Sequence, residues 1–146
     1  GLYGPRQLGG EDHGWVANFA IRTLLGKPLN VYGKGKQVRD ILYATDVCEA
    51  FEAFYKTRKP GVYNIGGGIQ TAISLLESIE LIEKITGKQP QVNFSAERRG
   101  DLHYFVCDTS KAQRDLNWNA KTLPREGITS LVNWVRENMN LFKARN

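Results

Sequence analysis

Apolar residues recur at helical spacing in the longer stretches of the chain and alternate with polar ones in the shorter stretches. In GWVANFAIRTLLG, Val16, Phe19, Ala20 and Leu24 fall on one helical face, and Gly26 stands where such a helix would end. PLNVYG, bounded by a proline and a glycine, predicts a short strand. ATDVCEAFEAFYKT places Val47, Phe51 and Phe54 on one face of a second helix, with Thr45 or Asp46 as its cap. GVYNIGGG reads as a strand running into a glycine turn. Ser74 and Glu77 then form a capping box ahead of the stripe Leu75, Leu76, Ile79, Ile82 and Ile85, which predicts a helix ending near Gly87. PQVNFS and HYFVCD predict two further strands and TSKAQRDLNW a short helix. Pro124 opens a last helix whose inner face is Ile128, Leu131, Val132, Val135 and Met139, followed by a tail that frays past Phe142. The alternation predicts an α/β domain of short strands with about five helices, residues 1–146 forming one unit without repeats or linkers.

Composition narrows the function classes. A chain of 146 residues can bury its own core. Its apolar fraction of 41% and charged fraction of 24% are those of a globular protein, and no apolar run nears the ~18 residues of a membrane span. Nothing resembles a secretory leader, so the cytoplasm is the expected compartment and no membrane partner is expected. The net charge of +5 suits an acidic partner, but the cations are scattered from Arg6 to Arg145. Without a basic stripe or an aromatic platform, nucleic acid is not an expected partner. Cys48 and Cys107 fit neither a disulfide framework nor a metal site, and both are read as buried, reduced thiols.

Few residues offer catalytic chemistry. His13 and His103 lack the neighbours of a nucleophile–base pair and any metal-ligand spacing, so no catalytic residue and no metal are expected in this chain. NIGGGIQTAIS superficially suggests a dinucleotide-binding turn, but Ser74 caps its helix several residues after Gly68 and no second strand with a closing acid follows. A plain turn is the better reading. YGKGKQVRDILYATD brings Lys34, Lys36 and Arg39 onto one short excursion. The lysines read as a solvated turn. Arg39 sits between Val38 and Ile41, where the chain becomes apolar, and needs a partner: Asp40 or Asp46 inside the fold, or an anion outside it. In ERRGDLHYF, Arg98, Arg99 and Asp101 stand in a loop before a strand. If the two loops converged, they would make a phosphate clamp, with Asp101 free to accept a sugar hydroxyl.

Taken together, YGPRQ, GKPLNVYGKGKQVRDILYATDVCEAF, YNIGGG, RRGD, DTSKAQRDLNW and LPREGITSLVNWV resemble the C-terminal, substrate-binding part of an extended short-chain dehydrogenase/reductase acting on nucleotide sugars. GGEDHGWVANF, GKGKQVRD and GDLHYFVCDTSK are most similar to members that epimerise CDP-sugars. The resemblance implies that Asn30 and Tyr32 border a cytosine, and that Arg39 and Arg98 contact the diphosphate from opposite sides. It also implies that Asp101 accepts hydrogen bonds from the ribose, and that Trp15 and Val16 open a helix bordering diphosphate and sugar. Gln7, Asp12 and His13 become candidates for the sugar pocket. Arg99 stands where most relatives have proline.

By the same resemblance, NAD, the catalytic tyrosine and its lysine belong to a Rossmann half that this sequence lacks, so the chain is expected not to bind NAD by itself and to be inactive alone. Family members form homodimers through helices of that other half, and the apolar surface left bare here is expected to promote association. The neighbouring possibilities are a 4-epimerase, a 4,6-dehydratase, or a non-catalytic module that only binds nucleotide sugars.

Overall fold

The computed structural model describes residues 1–143; the tail expected to fray falls largely on 144–146, outside the described residues. In chain order the elements are β1 (Leu2–Tyr3), α1 (Trp15–Leu25), β2 (Leu29–Tyr32), β3 (Val38–Asp40), β4 (Leu42–Tyr43) and α2 (Ala44–Thr57). A 3-10 turn (Ile69–Thr71), β5 (Ala72–Ser74), α3 (Leu75–Thr86), β6 (Val92–Ser95) and β7 (Tyr104–Phe105) follow, then α4 (Ser110–Leu116), α5 (Pro124–Glu137) and the single turn α6 (Asn140–Lys143). The α/β class holds, with that final turn added to the expected helices.

The strands form three small sheets that join distant parts of the chain. β1 runs parallel to β4, β2 runs parallel to β6 with Asn30 opposite Asn93, and β3 lies between antiparallel β5 and parallel β7. Helices α1, α3 and α5 pack on one another and enclose the main core, in which Phe19, Leu29, Val31, Ile82, Leu131 and Val135 are buried. Local chemistry sets the ends of these helices. Gly26 stops α1 with φ 68°, a left-handed conformation that costs glycine little. Ser74 Oγ accepts from the Glu77 backbone N–H at 3.2 Å while Glu77 Oε2 accepts from the Ser74 N–H at 2.8 Å, so two otherwise orphaned donors are satisfied at the start of α3.

That cap makes a prediction. Ser74→Ala should lower unfolding stability by about 1 kcal/mol in chemical denaturation. The hydrogen bonds from Ser74 hold the Glu77 carboxyl below its ordinary pKa of 4.5. Its contribution is therefore complete above that value and is lost as pH falls through the lower folded-state pKa. Glu77→Gln should flatten the acid limb of the stability curve, and an unchanged limb would remove the cap from the account.

Several expectations are corrected. GVYNIGGG forms no strand: no neighbouring strand pairs with it, and Val62 is 85% exposed. On α2 the second, smaller core receives Val47, Ala50 and Ala53 against Leu116 and Trp118, while Phe51 is 69% and Phe54 43% exposed. Thr45 and Asp46 do not cap α2. Tyr43 occupies that position without a side-chain bond, and Asp46 turns inward to accept from the backbone N–H groups of Lys121 and Thr122 and from the Thr122 hydroxyl. Cys48 is exposed and Cys107 only partly buried, so neither is the buried thiol expected. Burial first, then Asp40 and Asp108, pushes the Cys107 thiol pKa up. Among the described residues, no helix is long and apolar enough to cross a membrane.

Candidate functional site

A cleft of about 360 Å³ opens between the start of α1, the outer face of β2, the start of β3 and the loop leading to β7. Strand geometry explains part of its lining. Asn30 and Tyr32, two apart on β2, face it together, as do Gln37 and Arg39 at β3. Trp15, Asn18 and Phe19 reach it from one face of α1, and the rings of Trp15 and Phe19 meet edge to face at 5.6 Å.

The two loops read as a clamp do converge. Arg39 Nη2 donates to Asp101 Oδ1 at 2.6 Å, across 62 positions of sequence. Gln37 Nε2 donates to Asp101 Oδ2 at 3.2 Å and to the Tyr32 carbonyl at 2.7 Å. Arg39 therefore pairs with neither Asp40 nor Asp46. Asp40 is buried and accepts instead from the backbone N–H groups of Gly68 and Cys107. The Arg98 guanidinium lies 3.8 Å from the Tyr32 ring centroid, and its Nη2 donates to Asp12 Oδ1 at 3.0 Å. Tyr32 chiefly, and Asp12 to a lesser degree, raise the Arg98 pKa above its ordinary value. Both arginines thus present charge to one cleft, each oriented by a carboxylate. Asp12 is 81% exposed, so its bond to Arg98 is of the weak kind that a multiply charged anion displaces.

Of the sequence candidates, Trp15, Asp12, His13, Asn30, Tyr32, Arg39, Arg98 and Asp101 line the cleft. Gln7 and Val16 do not. Val16 is buried in the main core, and Gln7 donates to the Leu2 carbonyl at 3.1 Å behind the Gly9–Gly14 loop. Lys34 and Lys36 stay exposed on their turn and off the lining. The sequence reading missed Glu11, Asn18, Phe19, Gln37 and Leu75. Gln37 and Asn18 were within its reach, since each shares a strand or helix face with a residue already singled out. Glu11 was not, because a loop has no period.

The glycine turn is explained by packing. A side chain at Gly66 would meet Cys107 and Asp40, and one at Gly67 would meet Thr71 and the Ile41 carbonyl. The space is filled by protein, so these glycines form no dinucleotide cradle.

The GDP-mannose 4,6 dehydratase family model matches residues 2–131. CDP-paratose 2-epimerase of Salmonella typhi is 33% identical over 142 residues, covering 92% of this chain and 42% of that protein. UDP-glucuronate 4-epimerase of Thermodesulfobacterium geofontis is 33% identical over 143 residues, covering 98% and 43%. The solved structure of MoeE5 in complex with UDP-glucuronic acid and NAD superposes with a TM-score of 0.84 at 32% identity, over 94% of this chain and 45% of that one. The chain spans less than half the length of the relatives it matches. With a fold, an ordered set of motifs and a family model in agreement, the chain belongs to the nucleotide-sugar epimerase and dehydratase family of extended short-chain dehydrogenase/reductases.

Proposed function

We propose that this chain binds a nucleoside-diphosphate sugar and forms the substrate-binding part of an NAD-dependent epimerase acting on a CDP-sugar. The single observation that carries this reading is the convergence of Arg39 and Arg98 on one cleft from loops far apart in sequence. Two guanidinium groups lining one cleft match the charge of a diphosphate. Asp101 keeps lone pairs beyond those given to Arg39 and Gln37, and these accept a ribose hydroxyl while the carboxylate holds Arg39 in place. Trp15 and Phe19 supply apolar wall, and His13 and Asp12 border the sugar end.

None of these groups is assigned a proton or hydride step. In this reading NAD and the catalytic tyrosine and lysine lie in a Rossmann half outside this chain, consistent with a relative solved with NAD and with the absence of a cradle at Gly66 and Gly67. The contribution of this part is orientation: a substrate fixed by both ends of its diphosphate presents its sugar in one pose, an effect worth several kcal/mol of barrier when geometry is held. A second reading, 4-epimerisation or dehydration of another nucleotide sugar, is favoured by the equal identity to UDP-glucuronate 4-epimerase.

Calorimetric titration of the chain with CDP, UDP and dTDP, and separately with NAD, tests the proposal. Saturable binding of a nucleoside diphosphate and none of NAD is expected. Heat from NAD alone, or from no nucleotide at all, would overturn it.

A further inference from the structure

Arg39, Arg98 and Arg99 line the cleft with three carboxylates, of which Asp101 and Asp12 pair with the arginines of the clamp and Glu11 with neither. Glu11 Oε1 accepts from Asn30 Nδ2 at 2.6 Å, and Arg22 Nη1 lies 3.8 Å from the same oxygen. Arg22 is itself fixed, because its Nε donates to the Pro28 carbonyl at 2.6 Å. This arrangement determines which way the Asn30 amide faces. A carboxylate can only accept, so the amide nitrogen must turn toward Glu11, and the flipped rotamer would set carbonyl oxygen against carboxylate.

Resting on the nucleoside-diphosphate reading above, we infer that Glu11 is a specificity-determining residue that selects a nucleobase carrying an exocyclic amine next to a ring acceptor, the 4-amino pyrimidine edge. Asn30 stands two residues before Tyr32 on β2, so it lies roughly 7 Å along the strand from the ring that carries Arg98. That spacing suits a base joined through ribose to the phosphate nearest Arg98. At that point the protein offers two groups side by side, a carboxylate that accepts and an amide nitrogen with a second hydrogen to donate. Cytosine presents the complement, an amine donor beside a ring nitrogen acceptor. At the same 4- and 3-positions uracil and thymine present the reverse, a carbonyl oxygen beside a ring N–H. A free asparagine could turn over to suit either base. Oriented by Glu11 it favours the donating face, and a keto base in the same pose would set an acceptor against the carboxylate. The discrimination thus comes from the residue behind Asn30 as much as from Asn30 itself.

The test is calorimetric titration of the chain with CDP and UDP, for the parent, Glu11→Gln and Arg39→Ala. CDP is expected to bind at least about tenfold more tightly than UDP in the parent. Glutamine at position 11 keeps the size, removes the charge and lets both amides flip, so the CDP/UDP ratio should fall toward unity while UDP affinity rises. Arg39→Ala should weaken both nucleotides alike and leave the ratio intact. Equal binding of CDP and UDP by the parent, or a ratio unmoved by Glu11→Gln, would overturn the role of Glu11 while leaving the diphosphate reading standing. Failure of the parent to bind either nucleotide would overturn both.

Discussion

Alanine at Arg39 is expected to weaken nucleoside-diphosphate binding about 10- to 100-fold, or roughly 1.5–3 kcal/mol, as read by calorimetric titration. The guanidinium is the better buried of the two, with a side chain 20% exposed against 40% for Arg98, so its bonds to a phosphate are less screened. It is also preorganised. Asp101 holds Nη2 at 2.6 Å and the Val38 carbonyl holds Nη1 at 2.8 Å, so little side-chain freedom remains to be lost on binding. Arg39→Lys keeps the charge but not the two-pronged geometry, and should fall between parent and alanine. Arg98→Ala should lose less, because Arg98 must first leave Asp12. A drop in thermal stability that matched the drop in affinity would point to a damaged fold, so the unfolding transition of each variant is the control. Unchanged affinity in both alanine variants, with the fold intact, would remove the clamp.

The largest effect on stability is expected at Gly67. A Cβ placed there would lie 2.5 Å from the Ile41 carbonyl oxygen and would collide with the Thr71 hydroxyl. Ile41 is wholly buried and Thr71 is 2% exposed, and the Ile41 N–H donates to the Thr71 carbonyl at 3.3 Å, so neither side of the gap is free to withdraw. Overpacking against backbone belongs at the upper end of its usual range, and Gly67→Ala should cost about 3 kcal/mol or more in chemical denaturation. The same substitution at Gly26, whose Cβ would meet nothing within 4 Å, carries only the strain of its positive φ and serves as the comparison. If Gly67→Ala were as mild as Gly26→Ala, the close-packed account of the glycine turn would fail.

Elements with a strong internal signal were legible in the sequence. The stripes of α1, α3 and α5 marked their buried faces, the Ser74–Glu77 box fixed where α3 begins, and Gly26 and Pro124 marked helix ends, because each depends on residues within a few positions of one another. Of the site, Arg39 stood out as a charge entering an apolar stretch, and the family motifs pointed to Arg98 and Asp101 beside it. What failed depended on partners elsewhere. Val62, Tyr63 and Ile65 in GVYNIGGG suit a strand, but a strand exists only against a neighbour, and none of the described residues provides one. Phe51 and Phe54 read as a buried face, yet only the Val47, Ala50 and Ala53 side of α2 meets α4.

The sequence by itself determined the α/β class, the helices and the cationic character of two loops, since periodicity, capping and charge are properties of neighbouring residues. Only the tertiary structure decided that Asp101 rather than Asp40 or Asp46 orients Arg39, that Gly66 and Gly67 are small to admit Cys107, Thr71 and Ile41, and that Glu11 meets Asn30. Apart from Gly67 with Thr71, those pairings span from 19 to 62 positions and arise where strands and loops bring distant segments side by side, a juxtaposition that no local pattern encodes.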